Sequence, residues 1–236
     1  MTLLASLAIC AAAIGIGALT ARGFRLKANR ERYIRAYLFP DGVLEKFAQA
    51  RPGLGPKEQQ LVARALRQFF LAYLRSGFRR VAMPSRVVDD LWHEFILFTR
   101  GYAAFCDHAF GRFLHHTPAV KMGPVVSDNE GLRRVWWHCC IEENINPRKA
   151  TRLPLLFALD RKLGITDGFV YDLQCRRDLS KAAGAEAGAA AGAACADSFS
   201  DSTIDGSLAG FGDGAGGDGG GGCSGGGCGG GCGGGS

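Results

Sequence analysis

Residues 56–75 read PKEQQLVARALRQFFLAYLR, and this stretch decides the fold class. Leu61, Val62, Ala65, Leu66, Phe69, Phe70, Tyr73 and Leu74 recur at spacings of three and four, with arginines between them. That period stacks the apolar side chains on one face of an α-helix. Pro56 opens the helix and Gly77 supplies its stop.

The pattern extends in both directions. Upstream, 29–38 carries Tyr33, Ile34, Tyr37 and Leu38 and stops at Phe39-Pro40. Asp41 can then cap a short helix bearing Val43, Leu44 and Phe47, ended by Arg51-Pro52-Gly53. Downstream, Met83-Pro84-Ser85 gives a stop and a new N-cap, followed by predicted helices over 86–99 and 101–114. Ser127 caps 129–145, with Asp128 and Glu130 in the first turn, where the helix dipole favours acids. Pro147 starts a last helical stretch through Leu163, ended by Gly164. No segment sustains period-two alternation. The expected class is all-α: a helical bundle around one core, preceded by one transmembrane helix and followed by a disordered Gly-rich tail.

The ends differ from this body. The chain has 236 residues, 35 glycines, nine cysteines and a net charge of +6, but 19 of the glycines lie in 206–236. From Ala182 onward there is no Lys or Arg and there are six acids, so residues 1–181 carry a net charge of +12. A fully disordered chain, a collagen and a multi-span membrane protein are excluded. The expected division is an anchor over 1–22, a helical domain over 23–181, an Ala/Gly-rich linker over 182–196 and a disordered Gly/Cys-rich tail over 197–236. The tail cannot bury enough apolar surface to fold. Its thiols Cys223, Cys228 and Cys232 could wrap a soft metal ion, with no ordered scaffold to hold it.

The anchor rests on LLASLAICAAAIGIGAL, seventeen uncharged residues from Leu3 to Leu19, near the lower limit for a spanning helix. Arg22, Arg25, Lys27, Arg30, Arg32 and Arg35 follow, against Glu31 alone. Basic residues beside a span stay cytoplasmic. The expectation is a single-pass inner-membrane protein, with its N-terminus out and its domain in the cytoplasm. It would contact the bilayer through residues 3–20 and anionic lipid headgroups through Arg22–Arg35. A nucleic-acid role is not expected, because the arginines are spread over every helix and no binding motif appears.

Chemical character concentrates in 84–118, PSRVVDDLWHEFILFTRGYAAFCDHAFGRFLHHTP. Asp89, Asp90 and His93 share a helical face. A carboxylate beside an imidazole fixes its tautomer and raises its basicity, which suits a metal ligand or a general base. If this helix and the next form an antiparallel hairpin, Asp90 and His93 approach His115 or His116, while Cys106 sits further along the seam. Asp90, His93, His115 and His116 are the candidate ligands of a divalent ion, zinc or iron, with Asp89 and Cys106 as further candidates. The alternative is structural: Asp89 and Asp90 as first-turn acids, and His93 at the core edge bonded to Asp90. In WWHCC, Trp136 with Cys139 or Cys140 is expected to pack inward, and Arg133 and Arg134 to be solvated.

The same segment resembles the glycine-rich domain-containing proteins, which carry an Asp-x-x-Trp-His helix, then Tyr, Cys and Gly landmarks, then an acidic or histidine pair. The matching residues are Asp89 or Asp90, Leu91, Trp92, His93, Tyr102, Cys106, Phe110, Gly111, Leu114, His115 and His116. The order is similar to that of short bacterial members with a Gly/Cys tail. Plant relatives have a second histidine two positions after the first; here that position is Phe95. The resemblance implies a fold and a motif, and no reaction. The functional expectation is a membrane-anchored interaction or scaffold module for a protein partner. The alternative is a metal-binding protein or metal-dependent enzyme using the Asp/His cluster.

Overall fold

A computed structural model describes the backbone of residues 2–116, 127–173 and 194–195, and the side chains of 13–116 and 130–173. Among these residues there are seven helices: α1 (Thr2–Ala36), α2 (Asp41–Ala50), α3 (Pro56–Arg75), α4 (Arg86–Leu97), α5 (Thr99–Phe110), α6 (Ser127–Glu142) and α7 (Leu155–Lys162). Two two-residue strands, β1 (Tyr171–Asp172) and β2 (Ala194–Cys195), pair in parallel. The fold is all-α, as the helical periodicity requires.

Helix α3 is the centre. Pro56 occupies its first turn, and the Gly55 N–H just before it donates to Glu58 Oε2 at 2.7 Å. Gly77 closes the far end at φ +70°, a conformation open to glycine and costly for most other residues. Helices α1, α4, α6 and α7 all pack on α3, and eleven of its residues are buried. Phe70 meets Phe105 of α5 with ring centroids 4.8 Å apart, and Phe69 meets Trp92 of α4 at 5.0 Å. Phe95 sits edge-on to Tyr102 at 5.2 Å. These rings are buried, each worth about 1.5–3 kcal/mol of transfer free energy. Trp136, Cys139 and Cys140 pack inward from α6, as WWHCC suggests.

The start of α4 is tied to α7. Ser85 accepts from Val88 N, as expected of an N-cap. The buried carboxylate of Asp160 accepts from Ser85 Oγ at 2.6 Å, Arg86 N at 2.7 Å, Val87 N at 3.2 Å and Phe169 N at 2.8 Å. First-turn amides have no intrahelical acceptor, so a carboxylate placed there satisfies them and meets the positive end of the helix dipole.

Several expectations are corrected. Among the described residues no helix is long and apolar enough to cross a membrane. Past the uncharged run, Arg22, Arg25, Lys27 and Arg30 recur within the same helix, which continues as one element to Ala36. The single-pass inner-membrane placement and its orientation are therefore not supported. Of the basic residues assigned to lipid headgroups, Arg35 is bonded to Glu142. Helix α7 begins at Leu155 rather than near Pro147, because Pro154 takes the N-cap and resets the chain. Trp136 Nε1 instead donates to the Pro147 carbonyl, tying the preceding turn to α6. Arg134 is buried rather than solvated and donates to the Arg80 carbonyl. The tail, with Cys223, Cys228 and Cys232, lies outside the described residues.

Candidate metal centre

Helix α4 places Asp89 and His93 one turn apart on a single face. The third group arrives from beyond α5. That helix ends at Gly111, φ +68°, where a Cβ would fall 2.5 Å from the Arg30 guanidinium. Leu114 is then pinned: the Tyr102 hydroxyl donates to its carbonyl at 2.6 Å and accepts from Trp92 Nε1 at 3.2 Å. Two residues later His116 lies back against α4.

There, His116 Nε2 is 2.8 Å from Asp89 Oδ1 and His93 Nδ1 is 3.7 Å from Asp89 Oδ2. The two imidazole centroids are 4.2 Å apart. One ligand atom from each residue lies within 4.8 Å of the other two. Side-chain exposure is 6% for Asp89 and 9% for His116, against 44% for His93. Trp92 presses edge-on against His116 at 4.5 Å and shields that flank. An ion bound at about 2.0–2.2 Å by nitrogen and oxygen holds neighbouring ligand atoms roughly 3.4 Å apart in a tetrahedron. The observed separations bracket that value, and the Asp89–His116 contact has to open by about half an ångström. The three residues could hold a metal, and the half-exposed His93 leaves the remaining coordination positions toward solvent.

The other candidates go elsewhere. Asp90, one residue on from Asp89, turns toward α2 and pairs with Arg51 at 2.6 Å, while Arg51 and Arg86 both also reach Asp167. Asp90 is therefore an ion-pair partner, and His93 lies beside Asp89 rather than Asp90. His115 is exposed, its ring 4.9 Å from that of Phe113. Cys106 is buried beside Tyr102 and the Leu114 carbonyl, and burial pushes its thiol up, away from the thiolate a metal needs. Burial likewise raises Cys140 to about 12 and Cys139 well above the ordinary thiol range. Phe95 is fully buried among the core rings. His138, half-buried and facing the charges of Arg75 and Lys27, is pushed down to about 4, chiefly by desolvation.

Sequence reasoning named Asp89 second to Asp90. Both lie on the His93 face, at four and three residues' distance, and spacing alone does not separate them. The deciding fact is Arg51, 39 residues upstream, which claims Asp90.

The model of the UCP032817-like family matches residues 29–199. The chain belongs to this family. The resemblance to glycine-rich domain-containing proteins is thereby corrected: its motifs lie in 84–118 and it extended only loosely over 28–175, whereas the UCP032817-like model matches 29–199. The UCP032817-like match includes all seven helices except the first part of α1, together with the whole Asp89–His93–His116 cluster. It also continues past Lys181 into the Ala/Gly-rich stretch. No curated protein and no solved structure matches the chain.

Proposed function

We propose that this domain binds one divalent transition-metal ion, zinc or iron, through Asp89, His93 and His116. The observation that carries the reading is the second imidazole. An Asp89–His116 hydrogen bond would by itself be enough to latch the segment after α5 onto α4. It gives no reason for His93 to stand 4.2 Å from His116 over the same carboxylate. Two imidazoles and a carboxylate suit zinc and ferrous iron, and three protein ligands leave room for water. A zinc-bound water there would ionise near neutral pH, and ferrous iron would keep positions open for a second ligand. A hydrolytic or oxygen-using enzyme is the form this reading takes if the ion is catalytic.

Elemental analysis of the purified full-length chain tests it. The expected result is about one equivalent of zinc or iron, lost in His93→Ala and in His116→Ala while the helical circular dichroism is kept. A wild-type chain that stays metal-free after incubation with zinc and, anaerobically, with ferrous iron contradicts it.

The interaction-module reading has its own observation: Ile14, Ile16, Leu19, Phe24 and Leu26 of α1 are exposed. Apolar surface of that kind suits a protein partner. Co-purification of a defined protein that is lost when Leu19 and Phe24 are changed to Ser would favour it.

A further inference from the structure

A second site lies where α1, α3 and α6 converge. It shares no residue with the Asp89–His93–His116 cluster. The cleft encloses about 500 Å³ and is lined by Arg35, Arg64, Arg67, Gln68, Glu142 and Arg152, among others.

Its acids are already matched. Glu142 accepts from Arg35 and from Arg75, the latter at 2.8 Å. Glu143 accepts from Arg152, from Gln68 Nε2 at 3.0 Å and from Leu155 N at 2.6 Å. Arg64 and Arg67, one turn apart on α3, have no carboxylate partner among the described residues. Arg67 gives one N–H to the Tyr37 carbonyl at 3.0 Å and lies over the Phe39 ring, leaving its other donors unassigned. Burial and the neighbouring Arg64 both disfavour its charge, so two like charges stand together uncompensated. Gln68 is 95% buried, and its Oε1 has no hydrogen-bond partner. A buried acceptor left unpaired costs about as much as a lost hydrogen bond, so it marks a place for a donor.

We infer that this cleft binds a small hydroxylated phosphate monoester. Its phosphoryl group would sit on Arg64 and Arg67, and a hydroxyl would donate to Gln68 Oε1. Two guanidiniums match the charge of a phosphate monoester near pH 7, which is close to −2, better than that of a single carboxylate. Guanidinium also offers paired donors suited to phosphate oxygens. Salt should weaken the binding, because Arg64 is exposed.

Calorimetric titration of the full-length chain with glycerol 3-phosphate, inorganic phosphate and glycerol is the test. The first should bind with Kd of about 1 mM or tighter, inorganic phosphate more weakly, and glycerol not detectably. Arg64→Ala should weaken glycerol 3-phosphate at least about tenfold. Because Arg64 is exposed, this variant should keep the wild-type melting temperature, whereas Arg67→Ala also removes packing on Phe39. No heat of binding at about 10 mM glycerol 3-phosphate, or equal binding by Arg64→Ala, overturns the assignment. Equal affinity for inorganic phosphate and glycerol 3-phosphate overturns the role given to Gln68. Metal content reads the other site separately and should be unchanged in Arg64→Ala.

Discussion

His138 shows how one half-buried side chain sets a pH limit. Its folded pKa, about 4, lies below the ordinary value of 6.5, chiefly through burial and then through Arg75 and Lys27. The folded domain therefore holds it neutral while the unfolded chain takes up a proton as pH drops below 6.5. Stability is complete above pH 6.5 and declines toward pH 4, by up to about 3 kcal/mol from this residue. Glu31, lowered mainly by its hydrogen bond to Arg75, acts in a separate window: its contribution is lost only as pH falls below about 4.5. Urea unfolding at pH 7 and pH 5 should show a clear drop for the wild type and a smaller one for His138→Gln. An equal drop in both proteins would remove His138 as the cause. At this scale the sequence was only partly legible. WWHCC announces inward packing, but no local pattern says that Arg75 and Lys27 face His138 or that Arg51 removes Asp90 from the candidate ligands. Those pairings join residues far apart in the chain, and helical period reports only neighbours on one helix.

Among the elements, α4 carries the candidate metal centre and α7 fixes where α4 starts. Helices with strong periodicity and clear punctuation were legible: Pro56 and Gly77 bound α3, and Ser85 caps α4. The start of α7 was not, because Pro147 and Pro154 give the same signal in the sequence. What separates them is tertiary, since the Pro147 carbonyl is held by Trp136. Asp160 reads in the sequence as an ordinary polar residue of an amphipathic helix, yet it is 1% exposed and accepts from Ser85 Oγ and three backbone amides. Gly168 complements it, since a Cβ there would lie 2.6 Å from the Asp160 Cβ. Asp160→Ala leaves four donors without their acceptor and should destabilise the fold by about 3 kcal/mol or more. Hydrogen exchange should speed up at 86–88 and at Phe169, with α1 little changed. Unaltered protection at the first turn of α4 would show that Asp160 does not hold it.

For the molecule as a whole, the +12 body is less uniform than its net charge implies. Arg75 links Glu31 of α1 to Glu142 of α6, joining the first and sixth helices through the third. Arg64 and Arg67 stand together in one cleft without a carboxylate partner among the described residues, while the carboxylate of Asp89 lies between His93 of α4 and His116 from beyond α5. The all-α class followed directly from the period of residues 56–75. The centre needed the hairpin of α4 and α5 as well as the Tyr102–Leu114 bond that carries His116 home. The central claim is that Asp89, His93 and His116 hold a single ion. The most direct measurement is the zinc-edge X-ray absorption spectrum of the full-length chain loaded with one equivalent of zinc. It should show only nitrogen and oxygen neighbours near 2.0–2.1 Å, with the outer-shell scattering of two imidazoles. Sulfur neighbours near 2.3 Å would place the ion on thiolates such as Cys223, Cys228 and Cys232 and contradict the account, as would a spectrum unchanged by His116→Ala.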